Sequence, residues 1–134
     1  MASPAPFKPG PPGSKIALVV DDDPTLATLV ATTLAQAFTV YVADAAHRAM
    51  QMLLEMPAPN LVVCDVAMPG VDGIQFIKNL RAIPKLAATP VIFLTAKTMP
   101  MDVVAGINAG ARFYLAKPFN PSALLEKARK ATER

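Results

Sequence analysis

The run Leu61-Val62-Val63-Cys64-Asp65 passes directly into Val66-Ala67-Met68-Pro69-Gly70. Apolar residues lead into a carboxylate, and a Pro-Gly turn signal follows. A short β-branched run bounded by turn residues reads as a buried parallel strand. Asp65 then stands where the strand ends and the chain turns. In an open α/β sheet this edge is where ligands bind. Asp65 is therefore a candidate nucleophile for a phosphoryl group. The remaining chain has to supply a cation, a hydroxyl and a positive side chain around it.

Working outward, the same form recurs. Ile16-Ala17-Leu18-Val19-Val20 also ends in acid, Asp21-Asp22-Asp23, and Pro24 follows. An acidic cap with Pro at the first helical position starts a helix. Leu26, Leu29, Val30, Thr33 and Leu34 give that helix one buried face. Thr39-Val40-Tyr41-Val42-Ala43 reads as a second strand. Ala45 to Met56 reads as a helix with Ala46, Met50, Leu53 and Leu54 inward; His47 lies off this stripe, on the solvated side. A third helix follows Gly73, with Ile74, Ile77 and Leu80 on one side, and ends near Pro84. Pro90 opens a fourth strand, Val91-Ile92-Phe93-Leu94-Thr95. A weaker helix is expected from about Pro100 to Asn108, with Gly106 lowering its stability and Gly110 as a cap beyond it. Arg112 to Ala116 is the fifth strand. Lys117-Pro118-Phe119 turns, and Pro121 begins the last helix, with Leu124, Leu125 and Ala128 inward. Strand and helix alternate throughout, which implies a parallel sheet covered by helices on both faces.

The bulk properties fit this plan. At 134 residues and 53% hydrophobic, the chain suits one domain with a real core. Its net charge of +3 says little about partners. Lys127, Arg129, Lys130 and Arg134 read as a solvated helix face, with none of the interleaved aromatics of a nucleic-acid surface. The single cysteine, Cys64, rules out an intrachain disulfide and reads as a small core hydrophobe in a cytoplasmic chain. No apolar stretch reaches the length of a membrane span. Residues 1–14 are rich in Pro and Gly and are expected as an extended, mobile tail outside any ladder, before an ordered domain over 15–134.

In the doubly wound order 2-1-3-4-5, strands 1 and 3 are neighbours at the switch point. Asp21, Asp22 and Asp65 then meet in one crevice. Carboxylates that close raise each other's pKa unless something positive stands between them. A hard divalent cation held by oxygen, magnesium in particular, suits such a site. Thr95 at the end of strand 4 adds a hydroxyl, and Lys117 at the end of strand 5 adds a point charge. Each residue alone has an ordinary explanation; their placement on one edge is the specific signal.

VVDDDP, CDVAMPGVDG, LTA and GARFYLAKPF stand in the order and context found in receiver domains of two-component response regulators. The resemblance covers roughly residues 15–132 and extends to the chemotaxis response regulators. It implies a flavodoxin-like five-stranded parallel sheet and a phosphorylation-dependent signalling switch. Asp65 resembles the phosphorylated aspartate. Asp21 and Asp22 resemble the magnesium-binding pair, with the Ala67 carbonyl as a further ligand. Thr95 resembles the switch hydroxyl, Tyr114 the switch aromatic, and Lys117 the phosphoryl-contacting lysine, with a cis Lys117-Pro118 bond. The implied partners are a sensor histidine kinase or histidine phosphotransfer protein and a downstream effector or output domain. The surface implied to change lies around the helix from Pro100 to Asn108, the fifth strand and the last helix, with Met99, Met101 and Val104 as partner-facing candidates. Neither direct nucleic-acid contact nor membrane insertion is implied. Ala67 and Lys97 border the expected path of the hydrolytic water. Arg112-Phe113 departs from the acidic pair that supports one subfamily's dimers.

Two other functions compete. An aspartate-nucleophile phosphatase needs an acid two residues after its nucleophile, where this chain has Ala67. A degenerate receiver typically lacks an acid, the Thr or the Lys, and this chain keeps them all.

Overall fold

The computed structural model describes residues 5–65, 73–96 and 110–133. The strands are β1 (Lys15–Val20), β2 (Phe38–Ala43), β3 (Leu61–Asp65), β4 (Val91–Ala96) and β5 (Phe113–Lys117). The helices are α1 (Pro24–Leu34), α2 (Ala46–Glu55), α3 (Gly73–Arg81) and α4 (Pro121–Thr132), with a short 3-10 turn at Pro84–Leu86. All strand pairs are parallel, in the order β2-β1-β3-β4-β5. The expected helix from Pro100 to Asn108, with Met99, Met101 and Val104, lies outside the described residues, as do Ala67 and Lys97.

Period-two alternation along each strand divides the core between the two faces. Leu18, Val20, Val62, Cys64, Val91 and Phe93 pack toward α2 and α3, which contribute Leu53, Phe76, Ile77 and Leu80. Ala17, Val19, Leu61, Val63, Ile92 and Leu94 pack toward α1 and α4, which contribute Val30, Leu34, Leu124 and Ala128. β3 is buried at every position, as its continuous apolar run requires.

Helix phase corrects two inward assignments. In α2 the buried residues are Ala46, Ala49, Met52 and Leu53. Leu54 stands about 100° further round the helix and is 66% exposed. In α1 the buried stripe runs Ala27, Val30, Ala31, Thr33 and Leu34, so Leu29 faces outward at 46% exposure. Leu125 is half-buried and packs against the core beside Leu124, Ala128 and Ala131. Phe76, absent from the expected α3 stripe, is fully buried.

The Pro-rich segment also differs from expectation, because it does form a ladder contact. Lys8 bridges antiparallel to Val40 on the outer edge of β2. Phe7 and Lys8 donate their N–H groups to the Val40 carbonyl at 2.8 and 3.1 Å, and Val40 N–H donates to the Lys8 carbonyl at 2.8 Å. Gly10 N–H donates to Thr39 Oγ1 at 3.2 Å, and the Ser14 and Thr39 hydroxyls lie 2.9 Å apart. The donors Phe7 and Lys8 sit between Pro6 and Pro9, which have no N–H and end the ladder on both sides.

Candidate functional site

The register brings the functional residues to one edge. Val20 pairs with Ala43 on one side and Cys64 on the other. Asp65 pairs with Leu94, and Ala96 with Lys117. The carboxyl ends of the strands thus lie on one edge of the sheet, where Asp21, Asp22, Asp65 and Lys117 come together.

Asp21 is held from both sides. Its N–H donates to the Ala43 carbonyl at 3.0 Å, and its Oδ1 accepts from Asp23 N–H at 2.9 Å. It is 1% exposed, and its Oδ2 is buried with no hydrogen-bond partner among the described residues. Burial raises its pKa from 3.8 to about 6. The Asp23 N–H opposes this, the Asp65 charge adds to it, the Lys117 charge opposes it, and the Asp22 charge adds to it. Asp23 itself is used elsewhere: it is the N-cap of α1, accepting from Thr25 and Leu26 N–H.

Asp65 is 6% exposed, and Lys117 Nζ lies 3.1 Å from its Oδ1. One carboxylate oxygen from each of Asp21, Asp22 and Asp65 falls within 4.8 Å of the others. Asp22 is the exposed member, so the crevice opens to solvent on its side. A hard cation fits this oxygen-only set: it needs few protein ligands and keeps its waters, and it would satisfy the orphaned Asp21 oxygen. The Lys117-Pro118 bond is cis, as the resemblance implied. Thr95 is the next-to-last residue of β4, opposite Ala116; its side chain lies outside what is described.

Tyr114 lies one strand away from the crevice. Its ring centroid is 6.1 Å from that of Phe93, and its hydroxyl is buried with no partner among the described residues. Burial raises its pKa above 10.0. Beside Lys117, the half-buried Leu26, the exposed Leu29, Pro118 and Phe119 line a groove of about 380 Å³. The sequence reading missed this groove because it assigned Leu29 to the core.

Residues 17–129 match the family model of the response regulator receiver domain. The DNA-binding response regulator MtrA of Mycolicibacterium smegmatis is 39% identical over 113 residues, covering 84% of this chain and 48% of that protein. The response regulator Rre1 of Synechocystis is 38% identical, covering 80% of this chain and 47% of that protein. The chain thus spans about half the length of the curated relatives it matches. Among solved structures, a Chloroflexus aurantiacus protein described as a response regulator superposes with a TM-score of 0.85 at 34% identity, covering 90% of this chain and 99% of that one. The chemotaxis response regulator CheY4 of Vibrio cholerae gives 0.81 at 29% identity, with 88% and 98% covered. The chain belongs to the response regulator receiver domain family. A phosphorylation-dependent switch is the general function of that family.

Proposed function

We propose that Asp65 accepts a phosphoryl group from a phosphohistidine on a histidine kinase or phosphotransfer protein. An Asp65 oxygen bonds to phosphorus as the imidazole N–P bond breaks, and the departing imidazole nitrogen takes up a proton. The observation that carries this reading is the convergence of Asp21, Asp22 and Asp65 with Lys117 against the Asp65 carboxylate. Asp21, Asp22 and Asp65, together with the Ala67 carbonyl, would hold magnesium. When bound, the cation supplies positive charge against the anions that transfer brings together. Lys117 does the same from the β5 side and exchanges its carboxylate contact for a phosphoryl oxygen. Thr95 acts as the switch hydroxyl and Tyr114 as the switch aromatic. The apolar groove at Leu26, Leu29, Pro118 and Phe119 gives a protein donor a seat beside Lys117.

The only catalysis in this reading is the chain's own phosphorylation and dephosphorylation. The output is altered binding of an effector or an output domain, in the cytoplasm. No described helix is long and apolar enough to cross a membrane. Incubation with acetyl phosphate and magnesium should add one phosphoryl mass to the wild type and none to Asp65→Asn. Asp22→Ala should need more magnesium for the same labelling. Equal labelling of Asp65→Asn would place the acceptor elsewhere.

A further inference from the structure

One segment touches both the outer edge of β2 and the pocket beside Asp21 and Asp22. Val40 presents both its N–H and its C=O outward, and residues Phe7 and Lys8 satisfy them. Because the bridge is antiparallel, the arm runs toward the carboxyl end of β2 as it is followed back from Lys8 to Phe7. That is the end of the sheet where Asp21 and Asp22 lie. The geometry delivers the Phe7 ring to a pocket of about 210 Å³ lined also by Asp21, Asp22, Pro24, Ala27 and Val42. Followed the other way, Gly10 lies against β2 so closely that a Cβ there would stand 2.2 Å from the Phe38 carbonyl oxygen. A side chain at position 10 is therefore incompatible with the docked arm.

We propose that residues 5–14 form an intramolecular clamp on the edge of β2, and that Phe7 narrows the approach to the acidic pair from the β2 side. The clamp is a short antiparallel strand addition, restricted to one bridge by Pro6 and Pro9. A contact this small opens readily, so the docked and open forms exchange. Cation and phosphoryl donor gain access from that side only in the open form. The apparent affinity is then reduced by the open fraction. Conversely, a ligand that requires the open arm weakens the Val40 bridge by the same factor, as linkage demands.

The inference rests on Asp65 being the phosphoryl acceptor, so its test carries a readout that does not depend on labelling. Phe7→Ala removes the ring and leaves the bridge; Gly10→Val removes the bridge and leaves the ring. Phe7 is 48% exposed, so its truncation does not open the core. Amide hydrogen exchange should show Val40 N–H protected in the wild type and in Phe7→Ala, and unprotected in Gly10→Val. Half-saturating magnesium, followed by NMR shifts of Asp22 and Asp44, should fall by about threefold or more in both variants, because Gly10→Val opens a largely closed form and Phe7→Ala clears the approach while the arm stays docked. Acetyl phosphate labelling of Asp65 should accelerate by a similar factor. A Val40 amide that exchanges freely in the wild type would overturn the clamp. So would a protected amide with identical magnesium titrations and labelling rates in all three proteins. If the magnesium shift appears and no protein labels at Asp65, the clamp stands and the phosphoryl-acceptor reading fails.

Discussion

At the residue scale, Asp21 carries a cost that its ligand relieves. Its pKa is raised to about 6, chiefly by burial. A carboxylate whose folded pKa exceeds its unfolded value binds more protons in the native state between the two. Stability from this group therefore rises as pH falls through 6 and is lost as pH rises through it. At neutral pH the ionised Asp21 disfavours the cation-free fold by up to about 3 kcal/mol. Asp21→Asn keeps the Oδ1 acceptor for Asp23 N–H and removes the charge. Urea unfolding without divalent cation should find it more stable than wild type at neutral pH, with the gap closing as pH falls below 6. Added magnesium should stabilise the wild type and leave Asp21→Asn nearly unchanged. If Asp21→Asn is the less stable at neutral pH without cation, this ordering fails. Lys117 behaves in the opposite sense, since it faces the Asp65 carboxylate at 3.1 Å. Lys117→Ala should slow acetyl phosphate labelling roughly 10²-fold, as loss of one preorganised charge-stabilising group does.

At the element scale, α1 starts where it does because Asp23 caps it and Pro24 follows. Asp23→Ala leaves the Thr25 and Leu26 N–H groups without their acceptor. It should cost about 1 kcal/mol by urea unfolding while leaving magnesium-dependent labelling close to wild type. A large loss of labelling would instead assign Asp23 to the cation. The cap of α1 was legible beforehand from the acid standing before Pro24. The parallel sheet was legible from the alternation of strand and helix, and the doubly wound order places the strands ending in Asp21 and Asp65 side by side. Helix faces were less so. Leu29 and Leu54 are hydrophobic, and hydropathy alone cannot show that small residues such as Ala27, Ala31 and Ala49 hold the buried positions. The small side chains let α1 and α2 approach the sheet and push the leucines outward. The docking of Phe7 and Lys8 was invisible for another reason. A single bridge between two prolines has no periodicity, and only the open edge of β2 gives it a partner.

At the scale of the whole molecule, the sheet has separate cores on its two faces, and the proposed phosphoryl site touches both. Asp65 ends β3 between them, and Tyr114 packs against the α2–α3 core beside Phe93. As the switch aromatic, Tyr114 is expected to turn inward when a phosphoryl group draws Thr95 away. In the structure the Tyr114 hydroxyl is already enclosed, and it has no partner among the described residues. The inward arrangement is thus reachable without a phosphoryl group, and no described residue satisfies the hydroxyl. A buried hydroxyl left without any partner typically costs about 1–3 kcal/mol, and such a cost would oppose this arrangement. Tyr114→Phe keeps the ring against Phe93 and removes the hydroxyl. If the inward ring belongs to the phosphorylated form, the substitution shifts the population toward that form. By linkage, the affinity for a phosphoryl mimic must then rise by the same factor. Beryllofluoride should half-saturate Tyr114→Phe at a concentration at least about fivefold lower than wild type, the factor that about 1 kcal/mol supplies, and the cation-free protein should unfold at a higher temperature. A variant with raised thermal stability and unchanged beryllofluoride affinity would separate the ring from the switch. It would leave Tyr114 as packing for the β4–β5 edge.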